Sequence, residues 1–252
     1  MQSAAFVAHA ERWRIASALH LAFPWPPHDV TRLHMRFTTD PPRPTRDSYH
    51  HGNLREALIA AALQLIAANG PGGFSFAEVA RAAGVSAAAP YRHFRDLKAL
   101  IAEIARLGYD RFADELERAW NDGAPDPVTA FENIGKSYLA FARREPASYA
   151  AMFETGFPLE EDVQLLRASE RAFGVMRRAA EAACNAHRTA GVRPPPLMVA
   201  LHVWALCHGI AALFVGRADG NRRRMPMSPE ELLEAGLLIY LQSLGLTAPE
   251  RR

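Results

Sequence analysis

Cysteine is scarce in this sequence, since Cys184 and Cys207 are the only two among 252 residues. A disulfide framework needs more, so the composition suits a reducing compartment and we expect a cytoplasmic protein. Apolar runs of the roughly 20 residues that a membrane helix needs are also missing. We therefore expect no membrane association.

Neither sign of charge is in large excess. The chain has 29 Lys and Arg against 27 Asp and Glu, which gives a net charge of +2. A polycation that binds nucleic acid along its whole length is excluded. A nucleic-acid site must instead be a local basic patch.

The sequence also lacks the signatures of catalysis and metal binding. There is no Gly-x-Ser-x-Gly motif and no phosphate-binding P-loop. Ten histidines and two cysteines include no Cys-x-x-Cys or His-x-x-x-His pair. We expect no metal site, no cofactor and no enzyme, and an enzyme built on a helical bundle is the weakest alternative.

Proline content and helical periodicity divide the chain into three parts. Residues 1–46 are rich in proline and lack a sustained helical period, which predicts a disordered extension. From residue 53 onward, apolar residues recur at helical spacing and no segment alternates with period two. We predict an all-α fold with a small three-helix domain at 47–96 and a larger helical bundle at 97–252. The predicted bundle helices span 97–120, 127–144, 146–155, 160–189, 195–215 and 229–244.

The stretch from Ser75 to Phe94 has the plan of a helix-turn-helix. Ser75 and Glu78 predict a capping box at the start of a short helix that runs to residue 83. Gly84 supplies the positive φ that the turn requires. A second short helix is predicted at 86–94, and in this plan the second helix enters the major groove of DNA.

The predicted second helix carries a surface suited to DNA. Its first residues are small, which permits close approach to base edges, while Tyr91 and His93 can hydrogen-bond phosphates. The basic residues between positions 81 and 98 are Arg81, Arg92, Arg95 and Lys98, against the single acid Asp96. A plain helical hairpin with solvated arginines is the alternative. The candidate DNA-contacting residues are Ser75, Ser86, Ala87, Ala88, Tyr91, Arg92, His93 and Lys98.

Residues 48–106 resemble the DNA-binding domain of TetR-type transcriptional regulators. The resemblance lies in the opening Tyr49-His-His-Gly-Asn-Leu-Arg55 and in the Ala-Ala-Pro-Tyr-Arg-His-Phe run that ends at Phe94. It implies a homodimer on double-stranded operator DNA of two-fold character, and usually repression that a small ligand relieves.

The resemblance also implies individual contacts. Residues that match Ser86, Tyr91, His93 and Lys98 commonly contact DNA in the family. Ala87 departs from the pattern, because a polar, DNA-facing residue is common at that position in the branch it resembles. A direct base hydrogen bond is lost there, so the operator does not follow by analogy.

Trp204-Ala-Leu-Cys-His208-Gly209 resembles the Trp-x-x-x-His-Gly signature of one class of TetR C-terminal domains. Trp204 and His208 share one helix face. They either border a ligand cavity or pack and hydrogen-bond at the base of the core, and we favour the second interpretation. A hydrophobic or aromatic ligand would suit the apolar lining. The candidate pocket residues are Phe141, Tyr149, Met152, Phe153, Phe173, Met176, Trp204 and His208.

The helices predicted at 195–215 and 229–244 are the expected dimer faces, because both carry broad apolar surfaces. Matching helices in the family pack as a four-helix bundle across a two-fold axis. A helical module that binds protein rather than DNA is the other alternative, and the basic recognition surface argues against it. The apolar residues assigned to the dimer faces are Leu201, Leu206, Ala212, Leu213, Leu233, Leu237, Tyr240, Leu241 and Leu244.

Overall fold

The computed structural model describes residues 54–186, 194–214 and 226–246. These residues form α-helices and short 3-10 turns, with no strand among them, and the predicted all-α class is confirmed. The helices are α1 (Leu54–Asn69), α2 (Phe76–Ala82), α3 (Leu97–Trp120), α4 (Pro127–Arg144), α5 (Pro146–Phe153), α6 (Val163–Ala186), α7 (Pro196–Phe214) and α8 (Pro229–Ser243). The predicted extension 1–46 lies outside the described residues.

Capping side chains set where several helices begin. At α2, Ser75 Oγ accepts from the Glu78 amide at 3.3 Å, and the Glu78 carboxylate accepts from the Ser75 amide at 2.7 Å. This is the predicted capping box. At α3, Asp96 Oδ1 accepts from the Ala99 amide at 2.7 Å. The prediction that α3 runs from residue 97 to residue 120 is confirmed.

A glycine in the left-handed region ends α2. The Val85 amide donates to Ala80 O and the Gly84 amide donates to Arg81 O, at 3.0 and 3.1 Å. These two bonds form a Schellman motif, in which the residue after the cap needs a positive φ. Gly84 has a φ of +69°. The predicted glycine turn of the helix-turn-helix is therefore present.

The predicted α-helix at 86–94 is wrong in type. Only Pro90–Arg92 is helical, and it is a 3-10 turn. An α-helix here would need the residue 90 amide to donate to Ser86 O, but proline has no N–H and its ring crowds that carbonyl. The Ala89 amide donates to Ser86 O instead, at 3.0 Å. Such an i→i−3 hydrogen bond is the pattern of a 3-10 helix.

Helix α3 lies at the centre of the packing. It contacts α1, α4 and α5, and it packs most extensively against α6. Helix α1 also contacts α2 and α5, so the helix-turn-helix rests directly on the larger bundle. Buried apolar residues from Leu58 to Leu246 form one continuous cluster. Helices α7 and α8 close the bundle against α4.

A row of ion pairs ties α1 to α6 along the surface of α3. Glu103 bonds both Arg55 of α1 and Arg106, and Arg106 also bonds Asp110 at 2.8 Å. Arg171 of α6 lies 3.9 Å from Asp110. Burial alone would raise the pKa of Glu103, but hydrogen bonds from Arg106 and Arg55 outweigh it and lower that pKa. Glu103 therefore stays ionised at neutral pH.

The sequence prediction that no apolar run reaches membrane-spanning length is wrong for α7, which is long and apolar enough, by length and composition alone, to cross a membrane, with a mean hydropathy of 1.9. The helix nonetheless packs against α4, α6 and α8, and Val199, Val203 and Cys207 on its inner face are fully buried. Its hydropathy therefore reflects a core-facing side combined with a second apolar side that faces outward.

We expect Gly84→Ala to destabilise the protein by about 1–2 kcal/mol, because a Cβ disfavours the left-handed backbone. Space is not the cause, since a Cβ at Gly84 would meet no atom within 4 Å. Gly72→Ala is the matched control, as Gly72 has equal space and no positive φ. Urea unfolding of both variants measures the difference, and equal stability would contradict the assignment of strain to φ.

Candidate nucleic-acid interface and effector site

The segment from Ser86 to His93 presents a face to solvent because two residues anchor its other side. Pro90 and Phe94 are buried, and the Arg55 guanidinium lies over the Phe94 ring at 5.4 Å. The exposed side chains of this segment are Ser86, Ala87, Ala88, Tyr91, Arg92 and His93. They are six of the eight residues that the sequence predicted to contact DNA, and together they form the exposed surface of the segment.

Tyr91 is the most prominent side chain of this surface, with 62% of its area exposed. Its ring packs edge-on against Phe76 of α2, with centroids 5.0 Å apart. The ring is therefore held by the neighbouring helix while the side chain projects from the surface. A phenol fixed in this way can donate a hydrogen bond to a phosphate at little entropic cost.

Ser75 is exposed but its hydroxyl is already engaged. Ser75 Oγ donates to the Glu78 carboxylate at 2.7 Å while it accepts from the Glu78 amide. A hydroxyl has one proton to donate. A phosphate contact from Ser75 therefore requires the capping box to give up a bond.

The basic residues of the surface differ in whether they form ion pairs. Arg81 and Arg92 are exposed, and Arg92 has no ion-pair partner in the part of the chain that the structure describes. Arg95 pairs with the adjacent Asp96 at 3.0 Å. Lys98 Nζ pairs with Glu161 Oε2 at 2.7 Å, across the boundary between the helix-turn-helix and the bundle.

The bundle encloses a cluster of aromatic rings. Phe112 of α3 is fully buried at its centre, 5.0 Å from Tyr138 and 6.1 Å from Trp204 between ring centroids. Phe173 lies 5.3 Å from Trp204, and Phe153 lies near both Trp204 and Phe112. Rings from α3, α4, α5, α6 and α7 thus converge on one place.

Three polar groups meet inside this aromatic cluster. His208 Nδ1 lies 2.8 Å from Tyr149 Oη and 3.0 Å from Tyr138 Oη, and the two hydroxyls are 3.3 Å apart. Burial lowers the pKa of His208 and raises the pKa values of both tyrosines. At neutral pH the imidazole is therefore neutral, and its tautomer sets whether Nδ1 donates to or accepts from the two phenols.

The predicted pocket residues fall largely into this cluster. Ring contacts join Phe141, Tyr149, Phe153, Phe173, Trp204 and His208 directly or through Phe112 and Tyr138. Met152 and Met176 are buried in the same core, and Met152 packs on α3 where Gly108 leaves room for its sulfur. Trp204 and His208 thus pack and hydrogen-bond within this cluster, and their place at a ligand site stays a prediction.

Two residues at the centre of the cluster, Phe112 and Tyr138, were not among the predicted pocket residues. Tyr138 lies on the apolar stripe of α4 with Phe131, Ile134 and Phe141, all fully buried. A phenol in the middle of such a stripe needs a buried partner for its hydroxyl. That pattern was the available signal, and the partner it required was His208.

An open groove lies on a different face, between α3 and α4. It has a volume of about 540 Å³ and is lined by Glu115, Arg118, Ala119, Ser137, Ala140 and Arg144. Arg144 forms an ion pair with Glu115 across it. Its charged lining does not match the hydrophobic ligand that the sequence predicts. Within the described ranges, no three His, Cys, Asp or Glu side chains gather as a metal site would require.

The outer faces of α7 and α8 are apolar and exposed. Leu201 and Leu213 of α7 are 46% and 64% exposed, while Leu238 and Ile239 of α8 are 53% and 71% exposed. The sequence prediction placed Leu233, Leu237 and Leu241 on this outer face, but all three are buried within the chain's own core. These leucines, which the sequence assigned to the dimer interface, form the inner face of α8 instead. They pack against α4, where Gly135 lets Leu233 and Leu237 approach closely.

Comparisons with known proteins agree with this architecture. Residues 58–104 match the family described as bacterial regulatory proteins, tetR family, and residues 131–239 match the tetracyclin repressor-like C-terminal domain. No curated protein matches the sequence.

Solved structures extend the similarity over most of the chain. A protein of unknown function from Rhodococcus sp. RHA1 is 30% identical, with a TM-score of 0.64, over 78% of this chain and 97% of that one. The TetR family regulator PfmR from Thermus thermophilus is 20% identical, with a TM-score of 0.58, over 77% and 99%. AibR in complex with isovaleryl coenzyme A and operator DNA is 18% identical, with a TM-score of 0.58, over 74% and 97%.

We expect acid to destabilise the fold through His208. Burial lowers its pKa below 6.5, so the unfolded chain binds the proton more readily and stability declines as the pH falls through that value. The loss is at most about 1.4 kcal/mol per pH unit, because unfolding takes up at most one proton at this site.

His208→Asn keeps an acceptor near the Nδ1 position and removes the titration, so its stability should vary less between roughly pH 7.5 and 5. His93→Asn, at an exposed histidine, is the control and should keep the wild-type pH dependence. Denaturant unfolding across that range measures both, and parallel curves for wild type and His208→Asn would contradict the assignment.

Proposed function

Since this chain belongs to the TetR family of DNA-binding transcriptional regulators, we propose that it acts as a cytoplasmic homodimeric repressor that a small ligand releases from a palindromic operator. The observation that carries the proposal is the exposed face of the Ser86–His93 segment, fixed from behind by Pro90 and Phe94. Helix-turn-helix dimers place two such faces in successive major grooves, about 34 Å apart.

Each residue of the face has a role in this proposal. Tyr91, Arg92 and His93 contact phosphates, which position the protein on the duplex. Ala87 and Ala88 lie against base edges, where a methyl group suits the methyl of thymine. Ser86 contacts DNA at the start of the segment, and Ser75 contributes only where its capping bond opens. Lys98 reaches phosphate from the first turn of α3.

The outer faces of α7 and α8 form the dimer interface in this proposal. Large side chains, such as Leu201 and Leu213, flank small exposed residues at Ala205 and Gly209 on α7. A Cβ at Gly209 would meet no atom of its own chain within 4 Å, so the space over this glycine is open to a second subunit. Small residues between large ones allow two helices to approach closely. We propose a four-helix bundle of α7 and α8 from two subunits.

The effector in this proposal binds at the aromatic cluster, as a small hydrophobic or aromatic molecule with one polar group. The rings supply apolar contact, and Tyr138, Tyr149 and His208 supply hydrogen bonds to the polar group. AibR was solved with isovaleryl coenzyme A and operator DNA, and FadR from Bacillus halodurans is described as a fatty acid degradation regulator. These neighbours make acyl compounds the first class to screen.

Selection of bound duplexes from a random pool, at stated salt, tests the proposed DNA binding. An enriched sequence with two-fold symmetry is expected. A folded dimer that enriches no sequence, with or without acyl compounds, would instead favour the helical protein-interaction module.

We expect Tyr91→Phe to weaken operator binding about tenfold, because it removes one hydrogen bond to a charged phosphate and keeps the ring packed on Phe76. Arg92→Ala should weaken binding to all duplexes and reduce the salt slope by about 1. Arg177→Ala, an exposed arginine of α6, is the matched control. Fluorescence anisotropy measures all three, and an effect of Arg177→Ala equal to that of Arg92→Ala would contradict the assigned surface.

We expect Ile239→Glu to yield a folded monomer of 27.8 kDa, because it puts a charge at the most exposed apolar residue of α8. Val163→Glu is the matched control, since Val163 is an apolar residue at the start of α6 that is 58% exposed and does not belong to the proposed interface. Sedimentation equilibrium gives the mass of each. A dimeric Ile239→Glu variant, or a monomeric Val163→Glu variant, would remove this interface from consideration.

A further inference from the structure

We propose that Glu161 holds Lys98 away from DNA, so that this carboxylate sets the affinity of the protein for its operator. The inference rests on the proposed function, in which Lys98 contacts phosphate. It assigns Glu161 a new role, as an intramolecular competitor of the phosphate group for one lysine.

The contact is built from two interactions with the same short segment. Lys98 Nζ lies 2.7 Å from Glu161 Oε2 and 5.6 Å from the centroid of the Phe157 ring. A carboxylate and an aromatic face both attract an ammonium group. The residues between α5 and α6 thus provide a charged and an apolar partner for the side chain at the first turn of α3.

The backbone on both sides of Glu161 is held by hydrogen bonds. Leu159–Glu161 is a 3-10 turn, with the Glu161 amide donating to Pro158 O at 3.2 Å. Asp162 then accepts from the Gln164 and Leu165 amides, at 2.9 and 3.1 Å, at the start of α6. The turn and the helix cap hold the backbone of Glu161, so only its side-chain rotamers have to be ordered when the carboxylate binds Lys98.

Competition follows from the chemistry of the lysine. An ammonium group bonded to a carboxylate must leave it to bind a phosphate oxygen, so the free energy of DNA binding includes the cost of breaking this ion pair. Both side chains are at least half exposed, so the ion pair is an ordinary surface pair with a modest effect. Its loss should therefore change DNA affinity by a few-fold rather than by orders of magnitude.

The test compares Glu161→Gln with the wild type on a selected operator duplex. We expect Glu161→Gln to tighten binding about two- to fivefold, from the range measured for exposed ion pairs. The salt dependence should also steepen, by up to about 0.9 in the log–log slope, because breaking the wild-type pair leaves a carboxylate that takes up a cation. A salt series of roughly 50–200 mM KCl measures both quantities.

Glu181→Gln is the matched control, because it removes the same charge from an exposed position about 27 Å along α6 from its start. It should leave affinity and slope at the wild-type values. Equal gains in the two variants, or weaker binding by Glu161→Gln, would overturn the proposal.

A double-variant cycle separates competition from simple repulsion of DNA by Glu161. In the Lys98→Gln background, Glu161→Gln should give no gain in affinity. A gain that persists without the lysine would show that Glu161 repels DNA directly, and would overturn its role as a competitor for Lys98.

Retention on heparin distinguishes failure of this inference from failure of the proposed function. Glu161→Gln should elute at higher salt than Glu181→Gln, because a free Lys98 binds any polyanion. If the wild type enriches no duplex but the heparin shift is present, the proposed function is rejected, while the competition of Glu161 for Lys98 is retained. Equal elution salt for the two variants would reject the inference, whatever the operator assay gives.

Discussion

Helix α3 must satisfy two sets of neighbours at once, and the positions of the other elements follow from this constraint. Its first turns contact α1 and receive Arg55 at Glu103, while its later turns bury Phe112 and Leu116 in the bundle. A rigid helix of 24 residues transmits a rotation from one end to the other with little loss. The helix-turn-helix is therefore positioned by the contacts that α1 makes with α3 and α5.

The aromatic cluster adds a second constraint, which is the need to satisfy buried polar atoms. Tyr138, Tyr149 and His208 lie among rings, where an unpaired hydroxyl or imidazole nitrogen costs about 1–3 kcal/mol. In this structure they satisfy one another. A ligand that separates them must offer hydrogen bonds of its own, so the cluster favours a ligand that carries both an apolar body and a polar group.

The sequence was sufficient for features that depend on local chemistry. The capping box at Ser75, the positive φ at Gly84 and the start of α3 at Asp96 each follow from a few neighbouring residues. The α-helix predicted at 86–94 was wrong although its cause is also local, because Pro90 removes the donor that the helix needs. Helical spacing alone predicts an α-helix in this segment, and it takes no account of the missing N–H of Pro90.

Features that depend on packing between distant segments could not be predicted in the same way. Leu237 and Leu238 are adjacent in sequence and equally apolar, yet one is buried against α4 and the other is exposed. Which of them faces outward depends on how α8 is rotated about its axis where it packs on Gly135 of α4. The residues of α8 alone do not determine that rotation. The pairing of Lys98 with Glu161 likewise joins residues 63 positions apart.

Helix α5 connects these constraints because it is short and has neighbours on every side. Tyr149 and Phe153 belong to the aromatic cluster, while α5 as a whole contacts α1 and packs on α3 where Gly108 leaves room for Met152. The segment that follows it carries Phe157 and Glu161. The path from the aromatic cluster to the surfaces against which α1 and Lys98 rest therefore runs through one helix of eight residues, α5, and the segment that follows it.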